Sequence, residues 1–231
     1  MKVDIGVIGA LNEEVDGLIK MLDGHESELV GGIEFHTGMI FEKRVAVARC
    51  GVGKVFAAMC AEAMIVRYSP SLIINTGVGG ALGKSLTTGD IVIAKRLCQH
   101  DMDTSPLGDP RGLISGINVI YMNSDERAVN LLLDAGRVCS YKVTSGTVAS
   151  GDRFVAAKED KDSIVDSFDA DVCEMEGGAI AQVAFVNKTP FVVVRAISDS
   201  ADGEATMDYM TFLPIAAERS AALTVELIKK Y

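Results

Sequence analysis

Acids placed among apolar residues are the best candidates for chemistry in this sequence. Glu14 lies one helical turn after Leu11 and one before Leu18, at the edge of an apolar stripe. A carboxylate held away from water is costly unless it is hydrogen-bonded or paired, so such a position favours general acid–base work. Glu13 points to the far side, where the helix dipole alone accounts for an acid in the first turn. For Glu14, the pattern leaves the dipole and a catalytic role as equal alternatives.

Glu176 occupies a similar position at the start of another predicted helix. It precedes Ile180 by one turn and Val183 by two, and both belong to an apolar face, so its side chain is expected to point inward. The alternative is an ion pair that supports the sheet. Glu174 fits that structural role, because Arg195 lies inside a buried apolar run and needs an anionic partner.

Asp199 ends the nearly all-apolar run 191–198, at the carboxyl end of a predicted buried strand. Open α/β sheets bind their ligands at that edge. Ser198 can hydrogen-bond the carboxyl, and a partly desolvated carboxyl there is suited to donate a proton. An ordinary turn or helix cap is the alternative.

The elements that must position these acids alternate along the whole chain. Apolar runs predict strands at 3–8, 72–74, 91–94, 140–148 and 191–197, with hairpins in the β-rich stretch 29–50. Helical periodicity predicts helices over 11–22, about 54–68, 124–138 with Ser124 as its cap, 156–168, from near 176, and from about 206 with a bend or restart at Pro214. This order predicts an α/β fold, a three-layer sandwich whose twisted, mixed central β-sheet is flanked by helices. A single domain over residues 1–231 is expected.

Two glycine-rich segments mimic phosphate-binding motifs without meeting their requirements. The segment 51–54 (GVGK) lacks the earlier glycine and the following hydroxyl residue of a P-loop, since Ala48 and Val55 stand there. The segment 77–83 follows a strand, but 84–90 reads as a turn to another strand and not as a helix that would hold a pyrophosphate. The glycines of 77–83 are expected to allow close approach of a small ligand, or to form a tight turn.

Composition argues against several classes of function. The formal charge is −10 without a compensating Lys/Arg cluster, so neither nucleic acid nor an anionic membrane is an expected partner. Five scattered cysteines and three scattered histidines argue against a disulfide framework and a metal centre, and no cofactor is expected. No apolar stretch approaches the length of a spanning helix, and the N-terminus does not read as a signal peptide. A cytoplasmic location is expected.

Taken in order, the segments that carry these residues resemble one known family. They are 8–15 (IGALNEEV), 51–55 (GVGKV), 73–77 (IINTG), 150–154 (SGDRF), 174–176 (EME) and 193–199 (VVRAISD). The sequence resembles the 5′-methylthioadenosine/S-adenosylhomocysteine nucleosidases, within the nucleoside phosphorylase-like superfamily, from its first strand to its last helix. Each motif is short, but their joint order is highly specific.

The resemblance implies hydrolysis of the N-glycosidic bond of 5′-substituted adenosines, with release of adenine. The implied substrates are methylthioadenosine, S-adenosylhomocysteine and 5′-deoxyadenosine. By this resemblance, Asp199 is the general acid that protonates adenine N7, and Glu14 orients and deprotonates the attacking water. Glu176 hydrogen-bonds the ribose hydroxyls.

The same resemblance implies further contacts around the base and the sugar. Phe154 stacks on the purine, backbone groups of Val155 read its Watson–Crick edge, and Met175 packs against the sugar. The other implied substrate-binding residues are Gly80, Ser198, Leu11, Val52 and Tyr209.

One residue departs from the family pattern, and two others point to a partner. The family commonly has a small hydroxyl residue after Asn-Thr-Gly, whereas Val78 stands here. A hydrogen bond to the catalytic region is therefore missing or supplied by another residue.

Thr104 and Leu107, in the Pro- and Gly-containing stretch 101–117, match positions that the family uses to complete a neighbour's pocket. The resemblance therefore implies a homodimer.

Two other functions stay open beside hydrolysis. A purine nucleoside phosphorylase of the same fold needs an anion site, yet segments 11–14 and 75–77 contain no arginine and Glu14 would repel phosphate. A non-catalytic nucleoside-binding protein would not need Glu14. The sequence does not decide which 5′-substituent is preferred, and related adenosines such as aminofutalosine stay open beside the three implied substrates.

Overall fold

A mixed sheet forms the centre of the molecule in the computed structural model, which describes residues 2–83, 85–201 and 205–231. The strands are β1 Ile5–Gly9, β2 Asp23–Val30, β3 Ile33–Ile40, β4 Lys43–Arg49, β5 Leu72–Ala81, β6 Ile91–Gln99, β7 Met122–Asn123, β8 Val143–Ser150, β9 Val172–Glu174 and β10 Phe191–Asp199. The helices are α1 Asn12–Lys20, α2 Lys54–Tyr68, α3 Glu126–Val138, α4 Lys158–Phe168, α5 Gly177–Asn187 and α6 Ala205–Lys230, with a short 3₁₀ turn at Ser105–Leu107.

The sheet closes on itself over half of its strands. The strands β10, β6, β8, β9 and β5 pair in that order, and β5 pairs back with β10. From β5 the sheet extends outward through β1, β4, β3 and β2. Parallel pairs such as β1–β5 and β5–β10 coexist with antiparallel pairs such as β6–β10 and β5–β9. The predicted mixed sheet is confirmed, whereas its closure was not predicted.

Helices cover both faces of the sheet, as the alternation of elements predicted. Adjacent residues of one strand point to opposite faces of the sheet and pack in different hydrophobic clusters. Ile73 of β5 packs in a cluster with Met64 of α2, and Ile74 packs in a cluster with Leu132 of α3. The first cluster also holds α5, and the second holds α1 and α6. Central strands buried on both faces read as continuous apolar runs, which explains the composition of β1, β5 and β10.

Gly77, Gly79 and Gly80 belong to a strand, whereas Gly83 lies just beyond it. β5 runs from Leu72 to Ala81, so the alternative of a tight turn is wrong for these three glycines. The strand pairs with β10 on one side, and on the other with β1 over 72–75 and with β9 at Gly80 and Ala81. A Cβ at Gly79 would lie 2.6 Å from the side chain of Val172, so the neighbouring strand leaves no room for one.

Two details of the helix ends differ from expectation. Asp125, not Ser124, caps α3, because its carboxylate accepts a hydrogen bond from the backbone N–H of Ala128 at 2.8 Å. The final helix neither ends nor restarts at Pro214 but continues through it. None of the described helices combines the length and apolar character needed to cross a bilayer.

Candidate active site

The three candidate acids reach one cleft, where segments that follow separate strands converge. Glu14 lies in α1 just after β1, Glu176 immediately precedes α5, and Asp199 ends β10. The cleft encloses a cavity volume of about 180 Å³ and is open to solvent on one side. The other predicted substrate-binding residues also line this cleft: Leu11, Val52, Gly80, Phe154, Val155, Met175, Ser198 and Tyr209.

Several lining residues were not predicted from the sequence. Ala10, Gly79, Arg153, Cys173 and Glu174 complete the wall, each within two residues of a predicted one. Adjacency to the motifs was the only signal that could have found them. Among the described residues, no group of three His, Cys, Asp or Glu side chains is arranged to hold a metal ion.

Backbone N–H groups hold the buried carboxylate of Glu14. Its Oε2 accepts from the N–H of Ala10 at 2.6 Å and of Leu11 at 3.0 Å, and its Oε1 accepts from Val78 at 3.2 Å. A Cβ at Gly77 would lie 2.6 Å from Oε1, so glycine there permits the close approach of β5. Burial raises the pKa of Glu14, opposed by the charge of Arg195 and by these hydrogen bonds.

Glu174 forms the predicted ion pair with Arg195 in the floor of the cleft. The guanidinium Nη2 lies 2.5 Å from Oε2 of Glu174, and both side chains are only 2% exposed. Arg195 also donates to the side chain of Asn75, and the backbone N–H of Gly177 donates to Glu174 at 2.7 Å. Burial alone would raise the pKa of Glu174, but the charge of Arg195 and these hydrogen bonds lower it, so the carboxylate stays ionised.

We expect Glu174→Gln to lower the free energy of unfolding by about 3–5 kcal/mol, because it leaves the charge of Arg195 buried without its closest anion. Urea unfolding monitored by circular dichroism measures the effect. Asp134→Asn is the matched control, since it breaks a solvent-exposed ion pair with Arg137, worth about 0.5 kcal/mol or less. Equal losses for the two variants would contradict a stabilising role for the buried pair.

Glu176 faces the amino end of α2. Its Oε1 accepts a hydrogen bond from the backbone N–H of Gly53 at 2.8 Å, and the N–H of Lys54 donates to Asp152 at 2.7 Å. Carboxylates therefore occupy the glycine-rich helix start that resembles a P-loop. Burial, together with the nearby charge of Glu174, raises the pKa of Glu176 to about 7. The group can consequently donate or accept a hydrogen bond near neutral pH.

Asp199 is fixed at the end of β10 by its own turn. Its Oδ1 accepts from the backbone N–H of Ala201 at 2.9 Å, and the hydroxyl of Ser198 donates to Oδ2 at 2.8 Å, as predicted. Asp199 pairs with Gly80 across the sheet, where a Cβ would lie 2.8 Å from Oδ1. The acid therefore lies directly over the glycine of β5.

Two aromatic rings also line the cleft. Phe154 and Tyr209 meet edge to face, with ring centroids 5.6 Å apart. Burial and then the charges of Glu14 and Glu176 raise the pKa of Tyr209 to about 12, so its hydroxyl stays protonated. Val155, beside Phe154, is buried.

Val78, at the position that departs from the family pattern, lines the cleft and donates its backbone N–H to Glu14. Near Val78, the hydroxyls of Thr76 and Ser220 hydrogen-bond each other at 2.7 Å, and Ser220 also accepts from the N–H of Gly77. These hydroxyls tie β5 to α6. Leu107 is 84% exposed and, like Thr104, does not line the cleft of its own chain.

Comparison with known proteins shows the family to which this chain belongs. The phosphorylase superfamily matches residues 4–229. The 5′-methylthioadenosine/S-adenosylhomocysteine nucleosidase of Oceanobacillus iheyensis is 35% identical over 227 residues, which cover 98% of this chain and 99% of the relative. The enzyme of that name from Neisseria meningitidis, solved in complex with methylthio-immucillin-A, has a TM-score of 0.96 at 34% identity, with 99% of both chains covered. Futalosine hydrolase of Helicobacter pylori has a TM-score of 0.95 at 33% identity, covering 99% of this chain and 98% of the other. The chain thus belongs to the phosphorylase superfamily and, within it, to the 5′-methylthioadenosine/S-adenosylhomocysteine nucleosidase family.

Proposed function

We propose that this chain hydrolyses the N-glycosidic bond of 5′-substituted adenosines and releases adenine. The convergence of Glu14, Glu176 and Asp199 on one cleft carries the proposal. Family membership supports it, as does the related enzyme solved with methylthio-immucillin-A. We propose methylthioadenosine, S-adenosylhomocysteine and 5′-deoxyadenosine as the substrates to compare.

Proton donation by Asp199 is the first step of the proposed mechanism. The bond between C1′ and N9 breaks as positive charge grows on the sugar and electrons move into the base. Protonation of adenine N7 by Asp199 neutralises the leaving base. Its fixed position, between the hydroxyl of Ser198 and the N–H of Ala201, restricts the carboxyl to one orientation.

Glu14 and Glu176 act on the sugar side of the bond. Glu14 takes a proton from the water that attacks C1′, and its negative charge stabilises the oxocarbenium-like sugar. Glu176 binds the ribose hydroxyls, with Met175 against the sugar face. A pKa of about 7 suits Glu176 to this role, because the carboxyl can accept from one hydroxyl or donate to another.

The part of the cleft lined by Phe154 and Val155 suits the purine. In this proposal Phe154 stacks on the base, and the backbone of Val155 reads its edge. Leu11, Val52 and Tyr209 surround the 5′-substituent. An apolar wall with few polar groups is typical of sites that bind flat aromatic ligands.

Adenine release from methylthioadenosine should proceed at the same rate with and without inorganic phosphate. The amino end of α2 faces carboxylates, and Arg195 is engaged by Glu174. Arg153, which lines the cleft, pairs with Asp160, so phosphate finds no free cationic site among these groups. Chromatographic quantification of adenine, with ribose 1-phosphate derivatives measured in parallel, tests this. Strict dependence on phosphate would show phosphorolysis, and tight nucleoside binding without adenine release would show a non-catalytic binder.

We also propose that the chain acts as a homodimer through α2 and α5. α2 is apolar on both sides: one side enters the core, while the other leaves Val55, Phe56 and Met59 exposed. Phe185 and Val186 of α5 are exposed as well, and α2 and α5 pack together. A helix that is apolar all round is typically buried, so this face is suited to a second copy.

Met59→Glu is expected to shift the protein from dimer to monomer in analytical ultracentrifugation, because it buries a charge at the proposed interface. If Thr104 and Leu107 complete the neighbour's cleft, KM should rise in the same variant. Val138→Glu is the control, since Val138 is 67% exposed at the end of α3. A wild-type chain that sediments as a monomer would contradict the proposal.

A further inference from the structure

We infer that Lys161 of α4 is a positioning residue that holds Asp199 in place for proton donation. This inference rests on the proposed function. Lys161 lies outside the cleft, so it does not touch the substrate in the proposed mechanism. It acts through the turn that carries Asp199.

The ammonium group of Lys161 connects the end of β5 to the turn that follows Asp199. Its Nζ donates to the backbone carbonyl of Ala81 at 2.9 Å and to that of Ser200 at 2.7 Å. Ala81 directly follows Gly80, and Ser200 directly follows Asp199. Asp199 and Gly80 pair across the sheet, and Lys161 therefore bridges the residue that follows each of them.

Lys161 makes these two hydrogen bonds just beyond the last residue pair between β10 and β5. The pairing of β10 with β5 shifts register between Ile197 and Asp199, and Asp199 with Gly80 is its last pair. Two residues later, Ala201 has a φ of 49°, a left-handed conformation that is unfavourable for a residue with a Cβ. A strained turn beyond the last pair needs another contact, and Lys161 supplies one.

The helix that carries Lys161 is itself anchored under the site. Ile164, one turn further along α4, is buried in the cluster that contains Ala201 and Val155. Among the described residues, Lys161 has no carboxylate within ion-pair distance, whereas Lys158 of the same helix pairs with Asp162. Within the part of the chain that the structure describes, the two carbonyls are therefore the hydrogen-bond partners of Lys161.

This placement gives Lys161 a part in the chemical step and little part in binding. Asp199 must present its proton to N7 in one orientation, and the Lys161 bridge holds the turn that sets this orientation. Loss of the bridge lets the carboxyl leave that orientation. An interaction that acts only in the transition state lowers kcat when removed and leaves KM unchanged.

The test compares Lys161→Met, Lys161→Arg and Lys158→Met in steady-state assays of adenine release, beside the wild type. Methionine keeps the apolar stem but lacks the donors and the charge. We expect Lys161→Met to lower kcat about tenfold with KM within about twofold, since modest loss of positioning costs about that much. Lys161→Arg should regain most of the rate. Lys158→Met removes only an exposed pair within α4 and should match the wild type.

The outcomes separate this inference from the proposed function. A wild-type enzyme that releases no adenine would overturn the function itself. An active wild type with unchanged kcat in Lys161→Met would overturn only the inference, and so would a rise in KM at constant kcat. Thermal melting of each variant identifies a structural role: a lower melting temperature with no rescue of kcat by arginine would also reject it.

Discussion

Replacing Asp199 by asparagine is expected to lower kcat for adenine release by about 10²–10⁴-fold, the usual value of a general acid. Asparagine has nearly the same size, and its amide oxygen can still accept from the N–H of Ala201. It cannot give a proton to N7, so the base would leave as an anion. The variant should therefore bind substrate and fold normally while turnover is lost.

Single-turnover adenine release, together with calorimetric binding of methylthioadenosine, checks this expectation. Asp166→Asn is the matched control, because Asp166 lies on the exposed side of α4 away from the cleft. Turnover of Asp199→Asn at the wild-type rate would remove Asp199 from the mechanism. Loss of binding in place of turnover would assign it a recognition role only.

Replacing Glu14 by glutamine should also reduce kcat/KM by about 10²–10⁴-fold, because an amide cannot take a proton from water. The Oε1 and Oε2 positions of Glu14 both accept backbone hydrogen bonds. The amide nitrogen of glutamine would face one of these donors, so some loss of stability is expected as well. Thermal melting separates that loss from the kinetic effect.

Glu13→Gln is the control for Glu14→Gln, since it changes the neighbouring, exposed acid in the same turn of α1. It should leave kcat/KM unchanged. Equal losses in the two variants would indicate a general effect of negative charge near α1 and would contradict a specific base.

The pH profile of the wild type follows from the same assignment. A base works in its ionised form, so kcat/KM falls as pH drops through the pKa of Glu14. Burial raises that pKa, so the fall occurs at higher pH than for an exposed glutamate. Glu176, with a pKa of about 7, adds a second step in this range. An acid limb that lies at the pKa of an ordinary glutamate would contradict this reading.

Local patterns were enough to predict the element types and to select the acids. The apolar stripe around Leu11 and Leu18 placed Glu14 at a buried edge, and the face of Ile180 turned Glu176 inward. The apolar run of β10 placed Asp199 at a strand end. Each prediction depends on which side of one element is buried, a property that periodicity within a few residues encodes. The roles of these acids came from the resemblance to a family.

The sheet closure and the partners of each acid were decided only by the tertiary structure. Gly77, Gly79 and Gly80, interpreted as part of a possible turn, form a strand because β5 pairs with β10 as far as Gly80. Gly53 meets Glu176 across 123 positions of sequence, and Lys161 meets Ala81 across 80. Such contacts depend on how the strands pair and where the helices pack, and no local pattern in the chain specifies them. The sequence alone therefore singled out Glu14, Glu176 and Asp199 as candidates, whereas packing determined what holds each of them and also buried Asp90, which no local pattern indicated.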